Sequence, residues 1–295
     1  MNQKMISMDY SRKLIKDMPP FIHQTSVKDD STKYYSVIDG VKYRISAVLV
    51  PLVEKSNGTK IILTIRSNDL PSHAGQISFP GGKVDSSDDI KNINKYSPSL
   101  NDEEASRRLG IKSGGLIYWI ACIRECFEES GILLADNEQR KINLGSLTDR
   151  ELEIINQYKK KLLDGKDVFL ELIDKFDLTL STSEIAYISH WITPKIEKRR
   201  YSTRFFIARC PNQLATHDGL EGVESRWLEP KVALDLYKSG EFPMIMPTIK
   251  NLELIKDFQD TQTLLLSMND KLITDIPKVE PVFDVVDGKP KLISY

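Results

Sequence analysis

The run Arg124-Glu125-Cys126-Phe127-Glu128-Glu129-Ser130-Gly131 constrains this chain more than any other stretch. Glu125, Glu128 and Glu129 stand at i, i+3 and i+4, so on a helix their carboxylates share one face. Like charges at that spacing repel by roughly 0.2–0.5 kcal/mol a pair, which weakens a helix that has no other purpose. A divalent cation of the Mg2+ type takes carboxylate oxygens and removes the repulsion. Ile120, Ile123 and Phe127 give the helix an apolar stripe, Gly131 suits a left-handed cap, and Arg124 lies one turn before Glu128. A solvated acidic face is the ordinary meaning of such a cluster. The counter-argument lies upstream in Phe79-Pro80-Gly81-Gly82, whose glycine pair lets the backbone approach another group closely or adopt positive φ.

Together the two phrases resemble the Nudix box, G-x5-E-x7-R-E-U-x-E-E-x-G-U, where U is a large aliphatic residue. Arg124, Glu125, Glu128, Glu129, Gly131 and Ile132 fall in place, with Cys126 the one weak substitution. The front half departs from the pattern: Gly82 and Arg124 are 42 positions apart against the family's 14, leaving 28 extra residues. Counted forward from Gly82 the family's first glutamate falls on Asp88, and counted back from Arg124 it falls on Leu116. That glutamate is therefore replaced by Asp88, supplied from the insertion, or absent.

The insertion resembles the branch of the Nudix hydrolases that contains coenzyme A diphosphatases, in which a phrase like Arg107-Arg108-Leu109-Gly110 precedes the box helix. Leu63-Thr64-Ile65-Arg66-Ser67, followed by Gly75-Gln76-Ile77-Ser78-Phe79-Pro80-Gly81-Gly82, resembles that branch's coenzyme A motif, with Pro71 where the motif carries its second arginine. Arg199-Arg200-Tyr201-Ser202-Thr203-Arg204-Phe205-Phe206 resembles its R-R-[FY]-D-T-R-F-F phrase, with Ser202 in the aspartate position. Such a cation cluster suits a substrate carrying several phosphates, an ordinary charged hairpin being the alternative.

The resemblance implies an α/β fold, a Nudix α/β/α sandwich with a mixed β-sheet and two helical insertions forming a lid. It implies metal-dependent hydrolysis, with Mg2+ or Mn2+, of the diphosphate of coenzyme A or acyl-CoA to 3′,5′-ADP and (acyl-)phosphopantetheine. Glu125, Glu128 and Glu129 would hold the metal, and Arg124, Glu128 and Glu221 would serve catalysis. Arg66, Ser67, Gly81, Gly82, Arg200 and Arg204 would contact substrate. Glu221, in a loop before a strand, would serve as a further metal ligand or as the base that activates water, with Glu224 the rival candidate. Two other readings stay open: hydrolysis of another nucleoside diphosphate derivative (ADP-ribose, NADH or a dinucleotide), and a Nudix-fold module that senses a nucleotide without cleaving it.

The rest of the chain sets the frame. Its 41 basic and 42 acidic residues nearly cancel, which offers no global field to draw in nucleic acid or membrane; the partner that the resemblance implies is a small-molecule nucleotide. Three cysteines, Cys122, Cys126 and Cys210, make no disulfide framework; the first two are expected as core-facing thiols. No apolar run reaches membrane-span length, the N-terminus lacks a signal's apolar centre, and the last residues are not a Ser-Lys-Leu address. A cytoplasmic location is expected.

Residues 1–40 read as an irregular lead-in, 41–260 as the catalytic domain with insertions at about 86–113 and 147–176, and 261–295 as a C-terminal extension. Lys42 to Val53 and Lys60 to Ile65 read as strands of a hairpin about Asn57-Gly58; Ala186 to Ile192 and Thr203 to Cys210 are further strands. His73 reads as a loop-shaping residue. The first insertion carries a short helix from Asp102 to Leu109 and is expected as a surface cap near the site; contact between subunits, hence a homodimer, is the alternative. The second reads as a helical pair broken near Gly165. Val232 to Lys238 and Leu252 to Phe258 read as helices, and Asp287-Gly288 as the turn of a last hairpin.

Overall fold

The apolar run inside Lys42 to Val53 becomes the spine of the sheet. In the computed structural model, which describes residues 34–55, 58–66, 75–137, 147–210, 222–286 and 289–295, it lies within β2, Val41–Lys55. Ile45, Ala47 and Leu49 of β2 face one layer while Val50 and Leu52 face the other, the period-2 alternation of a strand covered on both sides. β1, Tyr35–Ile38, and β3, Gly58–Arg66, pair antiparallel with β2. The short strands β4, Ile77–Ser78, and β5, Gly81–Lys83, join β3 and β2.

Beyond the glycine pair come α1, Asp102–Leu109, and the box helix α2, Leu116–Ser130. The two-residue strand β6, Ala135–Asp136, is followed by α3, Asp149–Leu163, and α4, Phe169–Lys175. β7, Thr179–Leu180, pairs with β6; β8, Ile185–Ile192, and β9, Tyr201–Arg209, return to the main sheet. β10, Gly222–Leu228, lies at its edge, followed by α5, Pro230–Ser239, α6, Met246–Ile255, and α7, Thr261–Asn269. β11, Lys278–Val279, and the hairpin of β12, Val282–Val286, with β13, Lys289–Ser294, end the chain.

The principal sheet order is β10-β3-β2-β9-β8-β11. β2 with β9 and β8 with β11 are parallel and the other pairs antiparallel, so the sheet is mixed. Helices α1 to α4 bury one face of the sheet and α5 to α7 the other. The α/β/α sandwich expected from the sequence is the observed fold.

Four expectations about its margins change. Residues 35–38, expected within the lead-in, form β1, which a tight hairpin turn at Asp39 (φ 50°) and Gly40 (φ 74°) joins to β2. The first insertion is a structural part of the core: Ile90, Tyr96, Leu100, Ala105 and Leu109 are buried in the same cluster as Trp119 and Phe127 of α2. Ile155, Leu162, Phe169 and Leu172 of the second insertion join that cluster too. Neither segment rests loosely on a finished domain, as a lid would. The C-terminal extension is likewise integral, since Leu264, Leu265 and Met268 of α7 pack into the second core and β11 extends the sheet.

Candidate active site

The site is built on α2. Trp119, Cys122, Ile123, Cys126 and Phe127 are wholly buried, and the Trp119 ring meets Phe206 of β9 edge-on with centroids 4.7 Å apart. The helix ends where Gly131 takes a left-handed conformation (φ 71°) and its amide donates to the Phe127 carbonyl. Packed on its apolar side, α2 presents Arg124, Glu125, Glu128 and Glu129 toward β5 and the turn that follows it.

Arg124 is the centre of this group. Its Nε and Nη2 donate to the two oxygens of Asp88 at 2.8 and 3.0 Å, a bidentate pair in which Asp88 is only 1% exposed. Its Nη1 donates to Glu125 Oε1 and Glu128 Oε1, both at 3.0 Å, and Nη2 also reaches the Lys83 carbonyl at 3.1 Å. Asp88 is aimed by a short 3-10 turn, Ser86–Asp88: Asp85 accepts from the Ser86 amide while Asp88 Oδ2 accepts from the Asp85 amide at 2.7 Å. Asp88, the residue reached by counting forward from Gly82, is thus paired with the arginine of the box helix. Burial pushes the Asp88 carboxyl up from its ordinary value, with the Arg124 hydrogen bonds opposing. Burial also works against the Arg124 charge, but the Asp88 bonds overcome it and hold its pKa above the usual value.

The glycine pair is explained by space. A Cβ on Gly81 would lie 2.5 Å from the Val48 Cα, and a Cβ on Gly82 would lie 2.5 Å from the Glu125 carboxylate. The Gly81 amide donates to Glu129 Oε2 at 3.3 Å, which holds that carboxylate toward the turn.

Among the described residues no group of three or more His, Cys, Asp or Glu side chains is already arranged to hold a metal ion. The reason is local: the Arg124 guanidinium bridges Glu125 and Glu128, and Glu129 is drawn to the Gly81 amide. The donor chemistry nevertheless fits a hard divalent cation. Three carboxylates, those of Asp88, Glu125 and Glu128, share one guanidinium, and Gly82 leaves a cradle at Glu125 that a side chain would fill. The Glu125 carboxyl is pushed up to about 7 by burial, with Arg124 opposing and the Glu128 charge adding to the rise.

Other expected residues separate. Ser67, Pro71, His73 and Glu221 lie outside the described residues. Arg66 ends β3 opposite Gly222 of β10, and its amide donates to the Gln76 carbonyl, so it stands at the base of the loop that leads to the glycine pair. Arg204 is a correction to the expected phosphate contacts. It is 1% exposed, its Nη1 donates to the Tyr118 hydroxyl at 2.8 Å and its Nη2 to the Leu109 carbonyl at 3.3 Å, so it ties β9 to α2 and α1. The register explains this: Arg204 alternates with Phe205 along β9 and faces the α2 layer. Arg200 donates to the Pro194 and Lys195 carbonyls of its own hairpin and stands over the Tyr43 ring. Glu224 lies on β10 with an exposed side chain paired to Arg226.

Cys122 and Cys126 are core thiols as expected, and burial pushes the Cys126 thiol up to about 12. Sequence reasoning missed the Asp85–Asp88 capping arrangement, whose signal was the Asp-Ser-Ser-Asp spacing, and it missed the structural use of Arg204.

Comparison with known proteins agrees with this geometry. The family model described as the NUDT19 Nudix domain matches residues 98–255, just over half of the chain. An acyl-coenzyme A diphosphatase NUDT19 of Xenopus laevis is 26% identical over 210 residues, covering 61% of this chain and 55% of its own length. A putative nudix hydrolase 7 of Caenorhabditis elegans is 26% identical over 184 residues, covering 62% of this chain and 50% of its own. The chain thus spans about half the length of these curated relatives. The crystal structure of a NUDIX hydrolase from Alicyclobacillus acidocaldarius superposes with a TM-score of 0.61 at 21% identity, covering 76% of this chain and 96% of that one. At that identity the likeness is one of fold.

Proposed function

The chain belongs to the Nudix family, within the group of the NUDT19 Nudix domain, and on that premise we propose that it hydrolyses the diphosphate of coenzyme A or acyl-CoA. The products are 3′,5′-ADP and (acyl-)phosphopantetheine. The observation that carries this reading is the grouping of Asp88, Glu125 and Glu128 around Arg124 against the Gly81-Gly82 turn. The relative named as an acyl-coenzyme A diphosphatase supports the substrate class.

Glu125, Glu128 and Glu129 are the residues that would hold Mg2+ or Mn2+. When bound, such an ion neutralises phosphoryl oxygens and acts as a Lewis acid. Asp88 fixes the Arg124 guanidinium, which orients Glu125 and Glu128; the Gly81 amide orients Glu129. Gly82 keeps the space in front of Glu125 open. Glu221 is the proposed base, taking a proton from the attacking water as its oxygen adds to phosphorus and the bridging oxygen leaves. The buried thiols of Cys122, Cys126 and Cys210 take no part, since burial keeps them protonated. The partner is a small nucleotide. No helix among the described residues is long and apolar enough to cross a membrane.

One feature favours a second reading. Pro71 stands where the coenzyme A motif has an arginine, which favours a nucleoside diphosphate derivative with fewer phosphates to bind, such as ADP-ribose or NADH. The three intact glutamates of α2 weigh against a non-catalytic sensor. A panel of coenzyme A, acyl-CoA, ADP-ribose and NADH, each with Mg2+ and Mn2+, tests the proposal. Turnover highest on coenzyme A or acyl-CoA supports it; turnover highest on ADP-ribose or NADH moves the assignment to the second reading.

A further inference from the structure

The box helix has no capping side chain of its own: Gly115 occupies the N-cap position with helical dihedrals. Its leading amides are satisfied from the inserted helix α1 instead. Asp102 Oδ2 accepts from the Gly114 amide at 2.8 Å, Asp102 Oδ1 from the Leu116 amide at 3.0 Å, and Ser106 Oγ from the Gly115 amide at 2.9 Å. The two helices meet backbone to backbone here, since a Cβ on Gly115 would lie 2.3 Å from the Ser106 nitrogen. Arg204 closes the other end of the joint by donating to the Leu109 carbonyl, at the last residue of α1, and to the Tyr118 hydroxyl of α2. Lower in the same insertion Asp88 grips Arg124. The insertion therefore holds α2 at its start and at its functional end.

We propose that Asp102 and Ser106 are positioning residues for the diphosphatase site, and that the first insertion is an external cap fixing where the box helix sits against the Gly81-Gly82 turn. This rests on the reading of that site given above. A rigid helix converts a shift at its first turn into a shift at Glu125 and Glu128, and the burial of α2 along its length leaves no slack to absorb it. Misplacement of order 1 Å lowers rate by about 10²-fold.

The test compares full-length wild type with Asp102→Asn, Ser106→Ala and, as control, Glu103→Gln, whose side chain is exposed in the first turn of α1. Two readouts are taken well below Tm: amide hydrogen exchange over 114–130, and steady-state kinetics on coenzyme A and on a small diphosphate. The proposal expects exchange at 114–118 to quicken about tenfold in both test variants. It expects kcat to fall by about 10-fold or more on both substrates with KM little changed, and Glu103→Gln to match wild type. A purely structural cap would lower Tm and quicken exchange while leaving kcat per folded molecule intact, which overturns the positioning role. A rise in KM confined to coenzyme A also overturns it, because the insertion would then be touching substrate. If wild type cleaves no diphosphate, the functional reading fails by itself, and unchanged exchange in Asp102→Asn separately overturns the cap.

Discussion

Asp88→Ala is the sharpest perturbation of the Arg124 centre. It removes, from a buried position, two charge-assisted hydrogen bonds of 2.8 and 3.0 Å to Arg124 and the acceptor of the Asp85 amide at 2.7 Å. Truncating one partner of a buried ion pair costs about 3–5 kcal/mol when the other charge is left without compensation. Arg124 keeps Glu125 and Glu128, each at 3.0 Å, so its charge is not stranded and the low end applies. A loss of about 3 kcal/mol in a domain this size lowers Tm by about 6–12 °C. The guanidinium, no longer held from one side, is drawn toward the two glutamates and displaces them, so kcat should fall by about 10²-fold at a temperature where the variant is still folded. Asp88→Asn, which keeps one acceptor oxygen, should lie between the two. Calorimetry paired with initial rates decides the matter: Asp88→Ala with wild-type Tm and a kcat within twofold of wild type would refute the account of Arg124 as the element that positions the glutamates.

Glu128→Gln should abolish nearly all turnover while the protein stays folded by circular dichroism; near-native rates at saturating Mg2+ would exclude Glu128 from the site. Glu221→Gln should lower kcat by about 10²–10⁴-fold with KM little changed, whereas Glu224→Gln, altering an exposed side chain paired to Arg226, should matter far less; the reverse order would move the base to Glu224. His190 is buried, shares a hydrogen with the Ser202 hydroxyl at 2.6 Å, and faces the charges of Arg204 and Lys278. Burial first, and then those charges, hold its pKa well below 6.5, so its contribution to stability is full above pH 6.5 and is lost as pH falls below that value and the unfolded chain takes up the proton. Denaturant melts between pH 7 and 5 should show His190→Gln with a shallower decline, by up to about 1.4 kcal/mol per pH unit; parallel curves would exclude His190 as the source.

The sandwich was legible because its signals are local and strong. The apolar run of β2, the Gly131 cap and the glutamate spacing of α2 each state their own structure, and the helix placed at Asp102 to Leu109 matches α1. The role of Arg204 was not legible, because an arginine in a charged phrase reads the same whether it meets phosphate or a tyrosine hydroxyl. Only its register on β9 turns it inward. The grip of the insertion on α2 was not legible for a similar reason. Its polar start, Ser86-Ser87-Asp88-Asp89, conceals the fact that Asp88 and Asp102 both point into α2, across 36 and 14 residues of sequence. Side chains that serve a distant backbone amide leave no periodic trace.

The central claim, that carboxylates of the box helix drive cleavage of a coenzyme A diphosphate, is tested most directly by identifying the products of coenzyme A by mass spectrometry with wild type and Glu128→Gln side by side in Mg2+. The account predicts 3′,5′-ADP and phosphopantetheine from wild type and nearly intact coenzyme A from the variant. Intact coenzyme A with both proteins, or the same products at the same rate from both, would contradict it.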